Sequence, residues 1–392
     1  GFRLHLNDLD SVAEDVLPTG SGPLINVVSH GGRGGDGVDA SNLGKGIADV
    51  GGSSIAVHGL KFSSQNEYLL KYYKFCRIYN STDSAVCKAY SFLFMVKNKD
   101  GLAVALGTFD GFHSGHKMVI DKARLSVGKS AVLLFDQHPQ KVLFKKSPGE
   151  LITETQRNKL LKSWSVEPIT VSFSEIMSLS YEEFFYKILV EKLGATALSC
   201  GFNYHFGSKA LGNTENLKAL CEKENIELLV SEPVEYKGEP VSSTRIRNAI
   251  RNGNIEDANN MLGREFSYDF LVVHGDARGR TIDSPTINQF FTEDFIIPQY
   301  GVYASYSVID GKKYPSVTNV GVRPTIEGLS KERSETNIVG FTGDLYDKNI
   351  SVHLLKKIRE EMKFNNLDEL KNQIAKDREV SKNISKDNGV IL

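Results

Sequence analysis

The chain has 392 residues, room for two or three domains. Its composition, 40% hydrophobic and 24% charged, is ordinary for a soluble globular fold, and no apolar run approaches the roughly 18 residues that a membrane helix needs. Lysine plus arginine (47) almost balance aspartate plus glutamate (48), so a net charge of −1 gives no general attraction to nucleic acid or to an acidic membrane surface.

Taken in chain order, residues 1–97 carry no assignable function. Twelve of the 35 glycines lie between Gly20 and Gly59. That density raises the entropy cost of ordering, so the stretch "SHGGRGGDGVDASNLGKGIADVGGSS" is expected to be loop or partly disordered. It is not a G-x-x-x-x-G-K-[ST] phosphate loop, because Lys45 is followed by Gly46. The aromatic stretch 65–97 is apolar enough to pack against something. The chain opens at Gly1 rather than Met, as a fragment or processed product would, and no charged-then-apolar secretory signal is visible. Cys76, Cys87, Cys200 and Cys221 are scattered without C-x-x-C spacing, as expected for reduced thiols in a cytoplasmic protein.

From residue 98 the pattern alternates. "GLAVALG", "SAVLLF", "TALSCGF" and "IELLVSE" read as short buried strands, and "HKMVIDKARLSV" and "YEEFFYKILVEKL" as amphipathic helices. This predicts a parallel α/β sheet over residues 98–258, with ligands at the carboxyl ends of the strands. The string "GTFDGFHSGHK" falls at such an end. His113 and His116 stand at a helix start, where free N–H groups and the helix dipole favour an anion, and Gly115 lets backbone approach closely. Two imidazoles can donate to a phosphoryl group as charge builds on it. Alone, the string fits two surface histidines in a turn equally well, and a metal pair lacks a third ligand. A second string, "VSSTRIRNAI", weights the balance: Ser243 and Thr244 open a helix, and Arg245 and Arg247 bring guanidiniums suited to phosphate oxygens. At one end of a single α/β domain the two strings read as a phosphate clamp.

After residue 264 the pattern changes to short strands and turns, as in "GVYASYSVIDGKKYPSVTNVG" and "NISVHLL", ending in a helix from "NLDELKNQIAKD". This predicts a small β-barrel with a C-terminal helix over 264–386.

The H-x-G-H and S-S-T-R-I-R pair is similar to the nucleotidylyltransferase superfamily, with its Rossmann-like parallel sheet. More narrowly, "GTFDGFHSGHK", "FDQHPQKVL", "LSYEEFFYKIL", "GFNYHFGSKALGN" and "VSSTRIRNAI" resemble, in the same order, the adenylyltransferase half of bacterial bifunctional riboflavin kinase/FAD synthetases. "HGDARGRTIDSPTINQ", "VTNVGVRPTI", "SETNIVGF" and "DELKNQIAKD" resemble the riboflavin kinase half. The resemblance implies ATP, riboflavin and FMN as substrates, with Mg²⁺ shared among phosphates. It implies that Gly107, Phe109, Asp110, His113, Gly115 and His116 lie around ATP, with Ser243, Thr244, Arg245 and Arg247 at the phosphates. Asn203, Phe206 and Gly207 would form a flavin-side loop, and His138 of "DQHP" also matches, or else is a turn histidine. In the second half, Gly275, Gly279 and Arg280 would cover phosphate, Thr286 and Asn288 would hold the metal, and Glu335 would be the base. Arg359 and Phe364 would lie near the flavin. One departure stands out: Asp283 replaces a glycine that the family usually has before its Pro-Thr pair, which is expected to weaken nucleotide binding by the kinase half. The alternatives to a two-step enzyme are FMN adenylylation alone, or a non-catalytic flavin-binding or regulatory protein. The sequence leaves the oligomeric state open.

Overall fold

The computed structural model describes residues 45–50, 53–58, 101–274, 286–324 and 330–390. Residues 1–97 and 98–392 form separate units. In the first, strands β1 (Lys45–Val50) and β2 (Ser53–His58) pair antiparallel. The loop expected there is therefore only partly right. The sequence between the strands is Gly51-Gly52, a dipeptide typical of two-residue hairpins, and the flanks "GIADV" and "SSIAV" supply β-branched residues.

Among the described residues the second unit contains two large sheets and a two-stranded hairpin. The first has five parallel strands in the order β5-β4-β3-β6-β7: Glu167–Val171, Lys129–Phe135, Leu102–Ala105, Ala195–Gly201 and Glu227–Ser231. Ala103, Val104 and Ala105 are fully buried, as a central strand covered on both faces requires. The chain runs outward from β3 to β4 and β5, then returns to place β6 on its other side. The end of β3 is thus the switch point of the sheet, and "GTFDGFHSGHK" begins there. Helix α1 (Ser114–Ser126) follows, then α2 (Pro139–Phe144) and α3 (Glu154–Ser163). The helix predicted in "YEEFFYKILVEKL" forms, but only Tyr181–Glu183 is α; Phe184–Lys192 winds as a π-helix. The five-residue step of that winding brings Phe184 and Leu189, both buried, onto one side.

The second sheet has six antiparallel strands in the order β10-β15-β12-β13-β14-β11. Their spans are Phe266–Tyr268, Ser351–Arg359, Gly301–Ile309, Lys312–Pro324, Ser330–Ile338 and Thr286–Phe290. Beyond β10 the chain bridges first to Asn349, through Leu271, and then to Asn288, through Val273, which curls the two edges together into a small barrel. The C-terminal helix, Leu367–Asp387, packs on it. A register shift between Ala304 and Ser305 disturbs the β12–β15 ladder. Helix serines meet the backbone there: Ser305 N donates to Ser381 Oγ at 3.4 Å, and Ser385 Oγ donates to Ser305 O at 3.2 Å.

Between the sheets run Ser243–Arg251 and Ile255–Leu262. Ile246, Ile250, Ile255 and Leu262 share one core with Phe266, Tyr268, Tyr303 and Leu354. Each such side chain contributes about 1.5–3 kcal/mol on burial, so the two helices are anchored to the barrel, while the parallel sheet packs its own cores on its two faces. Asn259 fastens the seam, donating to Leu354 O at 2.9 Å and accepting from Phe266 N at 2.7 Å.

Candidate active sites

The corner after β3 is built by the helix start. His113 is the N-cap of α1, and its Nδ1 accepts from the His116 N–H at 3.3 Å. Part of the anion-binding capacity expected of this helix start is thus taken by the histidine itself. Because Nδ1 accepts, the proton of a neutral His113 sits on Nε2, where it can be donated outward. The two rings stack with centroids 3.6 Å apart. Gly115 serves this stacking: a Cβ there would stand 3.2 Å from the His113 ring. The lack of a Cβ therefore makes room for the imidazole, beside the backbone approach to phosphate expected from the sequence. Gly107 lies under the Phe109 ring, which meets His116 edge-on at 5.3 Å. Burial, reinforced by the charges of Arg264 and Arg247 and opposed by Asp110, pulls His113 down to about 4. Burial, then His113 and Arg264, hold His116 well below the usual imidazole value. Both rings are neutral at pH 7. His116 Nδ1 is buried with no hydrogen-bond partner among the described residues.

Asp110 joins the two motif strings. Its carboxylate pairs with the Arg247 guanidinium and lies 3.4 Å from His138 Nε2, and its carbonyl accepts from Ser243 Oγ at 2.8 Å. Burial raises the Asp110 carboxyl, but hydrogen bonds and charge from His138 and Arg247 win, and it titrates below its ordinary value. His138 is more than a turn histidine. It caps α2, accepting from Gln140 N at 3.2 Å, which turns its Nε2 to Asp110.

The arginines differ from expectation. Arg247 is buried, and its Nε donates to Gly149 O at 2.7 Å. With Asp110 on its other arm, it braces the corner from behind rather than offering itself to phosphate. Arg245 donates to the carbonyls of Glu239, Pro240 and Tyr236 at 2.7, 2.7 and 3.1 Å, holding the short hairpin of β8 (Glu235–Tyr236) and β9 (Glu239–Pro240). Ser242 takes the N-cap expected of the serine-threonine run, Ser243 holds Asp110, and Thr244 is exposed.

On the flavin-side loop, Asn203 is exposed, but Phe206 is not. Phe206 stacks on Tyr204 at 5.5 Å and belongs to the sheet core with Phe184. Gly207 has φ +74, and a Cβ there would meet Tyr181 backbone at 2.6 Å. These two residues shape the loop from within. Sequence reading passed over Phe202, 44% exposed, whose neighbours "CGFNY" put it at the strand end.

In the barrel, Asn288 on β11 stands directly opposite Glu335 on β14, and Glu335 opposite Asn319 on β13. Directly opposed residues share a face, so Thr286, Asn288 and Glu335 lie on one side of the sheet. Glu335 is ion-paired with Arg333, two residues away on the same strand face, which was not anticipated. Asn319 donates to Glu361 at 3.2 Å. Thr286 and Asn288 offer neutral oxygens of the kind a hard divalent cation takes alongside phosphates, and they fit such an ion. Among the described residues no cluster of three His, Cys, Asp or Glu could hold a metal by itself. Arg359 is turned elsewhere than expected: its guanidinium binds the buried Asp377 carboxylate of the C-terminal helix, with Nη2 at 2.7 Å. Phe364 is half-buried just beyond that strand. Gly275, Gly279, Arg280 and the departure at Asp283 lie outside the described residues.

A five-stranded parallel sheet with a His-x-Gly-His helix start at its switch point defines a nucleotidylyltransferase, here followed by two helices that share a core with a small antiparallel barrel. A family model described as FAD synthetase matches residues 95–245, and one described as riboflavin kinase matches 262–385. Proteins named bifunctional riboflavin kinase/FMN adenylyltransferase match across both halves. That of Buchnera aphidicola from Schizaphis graminum is 35% identical over 71% of this chain and 93% of its own length. That of Bacillus subtilis is 33% identical over 73% and 93%. A solved structure described as a macrolide-efflux protein from Streptococcus pneumoniae is 33% identical, covers 73% of this chain and 95% of its own, and superposes with a TM-score of 0.66. Among the described residues no helix is long and apolar enough to cross a membrane. The chain belongs to the bifunctional riboflavin kinase/FMN adenylyltransferase family. It converts riboflavin and ATP to FMN and ADP, then FMN and ATP to FAD and pyrophosphate, and both steps use a divalent metal with ATP.

Proposed function

We propose that residues 98–258 carry adenylyl transfer at the corner 107–116, and residues 264–386 carry the kinase step on the Thr286–Asn288–Glu335 face. The observation that supports the first assignment most strongly is the meeting of both motif strings at Asp110, beside two neutral imidazoles. The FMN phosphate is already an anion, so its attack on the α-phosphorus of ATP needs no general base. What the site must supply is alignment and hydrogen bonds to oxygens that gain charge as pyrophosphate leaves. Neutral His113, donating from Nε2, and neutral His116 serve that role, and Thr244 is the free hydroxyl at the second helix start. Arg245 joins the phosphates only by leaving the hairpin carbonyls it now holds. Asn203 and Phe202 are the loop groups left exposed for the flavin.

The kinase step differs in one respect. The riboflavin 5′-hydroxyl carries a proton that must be taken as its oxygen attacks the γ-phosphorus, and Glu335 is the carboxylate on the metal-bearing face. The metal is Mg²⁺, held by Thr286 and Asn288 oxygens, where it offsets phosphate charge. Two ATP-consuming steps and the unpaired thiols of Cys200 and Cys221 favour the cytoplasm.

The test is His116→Ala in the full chain, given riboflavin, ATP and a defined metal. FMN should accumulate at the normal rate while FAD formation falls on the order of 10²–10³-fold, as for loss of one charge-stabilising donor. Equal loss of both steps would overturn the assignment of separate sites. Mg²⁺ should restore metal-stripped protein better than Ca²⁺, which prefers larger and more flexible coordination.

A further inference from the structure

Arg264 follows the last interdomain helix by two residues and precedes the first barrel strand. No sequence motif marked it. Its guanidinium reaches back to the adenylylation corner, donating from Nη2 to Gly111 O at 2.7 Å and from Nη1 to Phe112 O at 3.0 Å. Leu262 O lies 3.5 Å from the same nitrogen. The two carbonyls belong to a backbone under strain. Phe109 and Phe112 both have φ +47, and Gly111 has φ +79. Left-handed backbone is disfavoured for a bulky aromatic residue and persists only where its surroundings impose it. Phe112 immediately precedes His113, the helix cap, so the conformation of this turn sets where both imidazoles stand.

We propose that Arg264 is a positioning residue for adenylyl transfer: by bridging the Gly111 and Phe112 carbonyls it holds the strained turn that aims His113 and His116. The inference rests on the reading of those histidines as the phosphate-facing groups. A planar fork with fixed donors suits two adjacent carbonyls, where a single ammonium reaches only one. Burial lowers Arg264 to about 10, so it keeps its charge at neutral pH. That charge also disfavours protonation of both histidines. The other charged and titratable groups around them are Asp110 and His138, with Arg247 from the helix behind and Glu265 beside Arg264 itself. A residue at the start of the kinase half thereby sets the geometry of the other half's reaction.

The experiment compares Arg264→Ala and Arg264→Lys with the unaltered full chain, measuring FAD formation from added FMN and FMN formation from riboflavin separately. Arg264→Ala should lower kcat for FAD formation on the order of 10²-fold, the effect of a misplacement near 1 Å, with smaller changes in KM. FMN formation should stay within about twofold, since among the described residues the hydrogen bonds of Arg264 all go to carbonyls away from Thr286, Asn288 and Glu335. Arg264→Lys should recover part of the loss. The acid limb of FAD formation should move to higher pH in Arg264→Ala, because a cation that opposed imidazole protonation is gone, and should stay in place in Arg264→Lys. Unchanged kcat in both variants, equal loss of both steps, or an acid limb that stays put in Arg264→Ala would overturn the proposal. If Arg264→Ala does not fold, Arg264→Lys decides: lowered adenylylation with an intact kinase step supports the proposal, and unchanged adenylylation refutes it. His116→Ala, run alongside, separates the two levels. If it leaves FAD formation intact, the underlying reading fails; if it blocks FAD formation while the Arg264 variants do not, only the positioning role fails.

Discussion

Asp110 and Arg247, 137 residues apart, form a buried ion pair behind the H-x-G-H helix. The pair ties the loop after β3 to the second motif helix. Removing one partner leaves the other charge buried and uncompensated, which costs about 3–5 kcal/mol. Asp110→Asn and Arg247→Met should each lower the unfolding free energy by that order. The double variant should recover part of it, because no lone charge remains. A double variant as unstable as the sum of the singles, measured by denaturant unfolding, would mean that the two residues act independently.

The linkage of this pair to pH has a definite sign. The folded carboxyl of Asp110 is lowered, so its contribution is complete above the unfolded value near 3.8 and is lost as pH falls through the folded value. His113 adds a second window. Its folded value, about 4, lies under the unfolded 6.5, so the unfolded chain binds the extra proton first. Stability from His113 is therefore full above pH 6.5 and declines toward 4. Unfolding titrations of the native chain and of His113→Gln should diverge in slope only across that interval. The catalytic acid limb of FAD formation should fall nearer pH 4 than 6.5, since the folded imidazole resists protonation. A limb centred at 6.5 would mean that His113 is hydrated in the working enzyme.

Residues 98–392 close as a unit of their own, and every residue assigned here to either reaction lies within it. A chain beginning at Asn98 should fold and retain both steps within about twofold. Loss of both activities in that shortened chain would show that the N-terminal unit contributes to catalysis or folding.

Much of this was legible in the sequence because local signals and fold agreed. The alternation of "GLAVALG" and "HKMVIDKARLSV" gave strand and helix, and the glycine-rich turn between them put the histidines at a switch point. The arginines were harder. On a helix, Arg245 and Arg247 two residues apart look equivalent, yet Arg247 falls between Ile246 and Ile250 on the buried side while Arg245 does not. The 3.6-residue period carried that distinction, and reading the string only as a phosphate motif hid it. The turn of Arg359 toward Asp377 had no such signal, since strand and helix are joined by a loop and their pairing depends on tertiary packing. The burial of Phe206 was hidden for the same reason: an aromatic residue in a loop string gives no hint of how far it packs into the core.

The last expectation concerns the base. Asn288 and Glu335 oppose one another across β11 and β14, so the residue proposed for the metal and the residue proposed for proton transfer share one sheet face. Glu335 is also held by Arg333, which fixes the carboxylate while leaving it partly exposed to solvent. Glu335→Gln keeps size and reach but cannot take a proton. FMN formation should fall about 10²–10⁴-fold, the range for a general base, while FAD formation from added FMN stays nearly unchanged. Arg333→Met should act in a milder way, lowering kcat by roughly tenfold through a carboxylate free to rotate away. Kinase activity within a few fold of native in Glu335→Gln would remove Glu335 as the base and leave the "SETN" strand with a purely structural part.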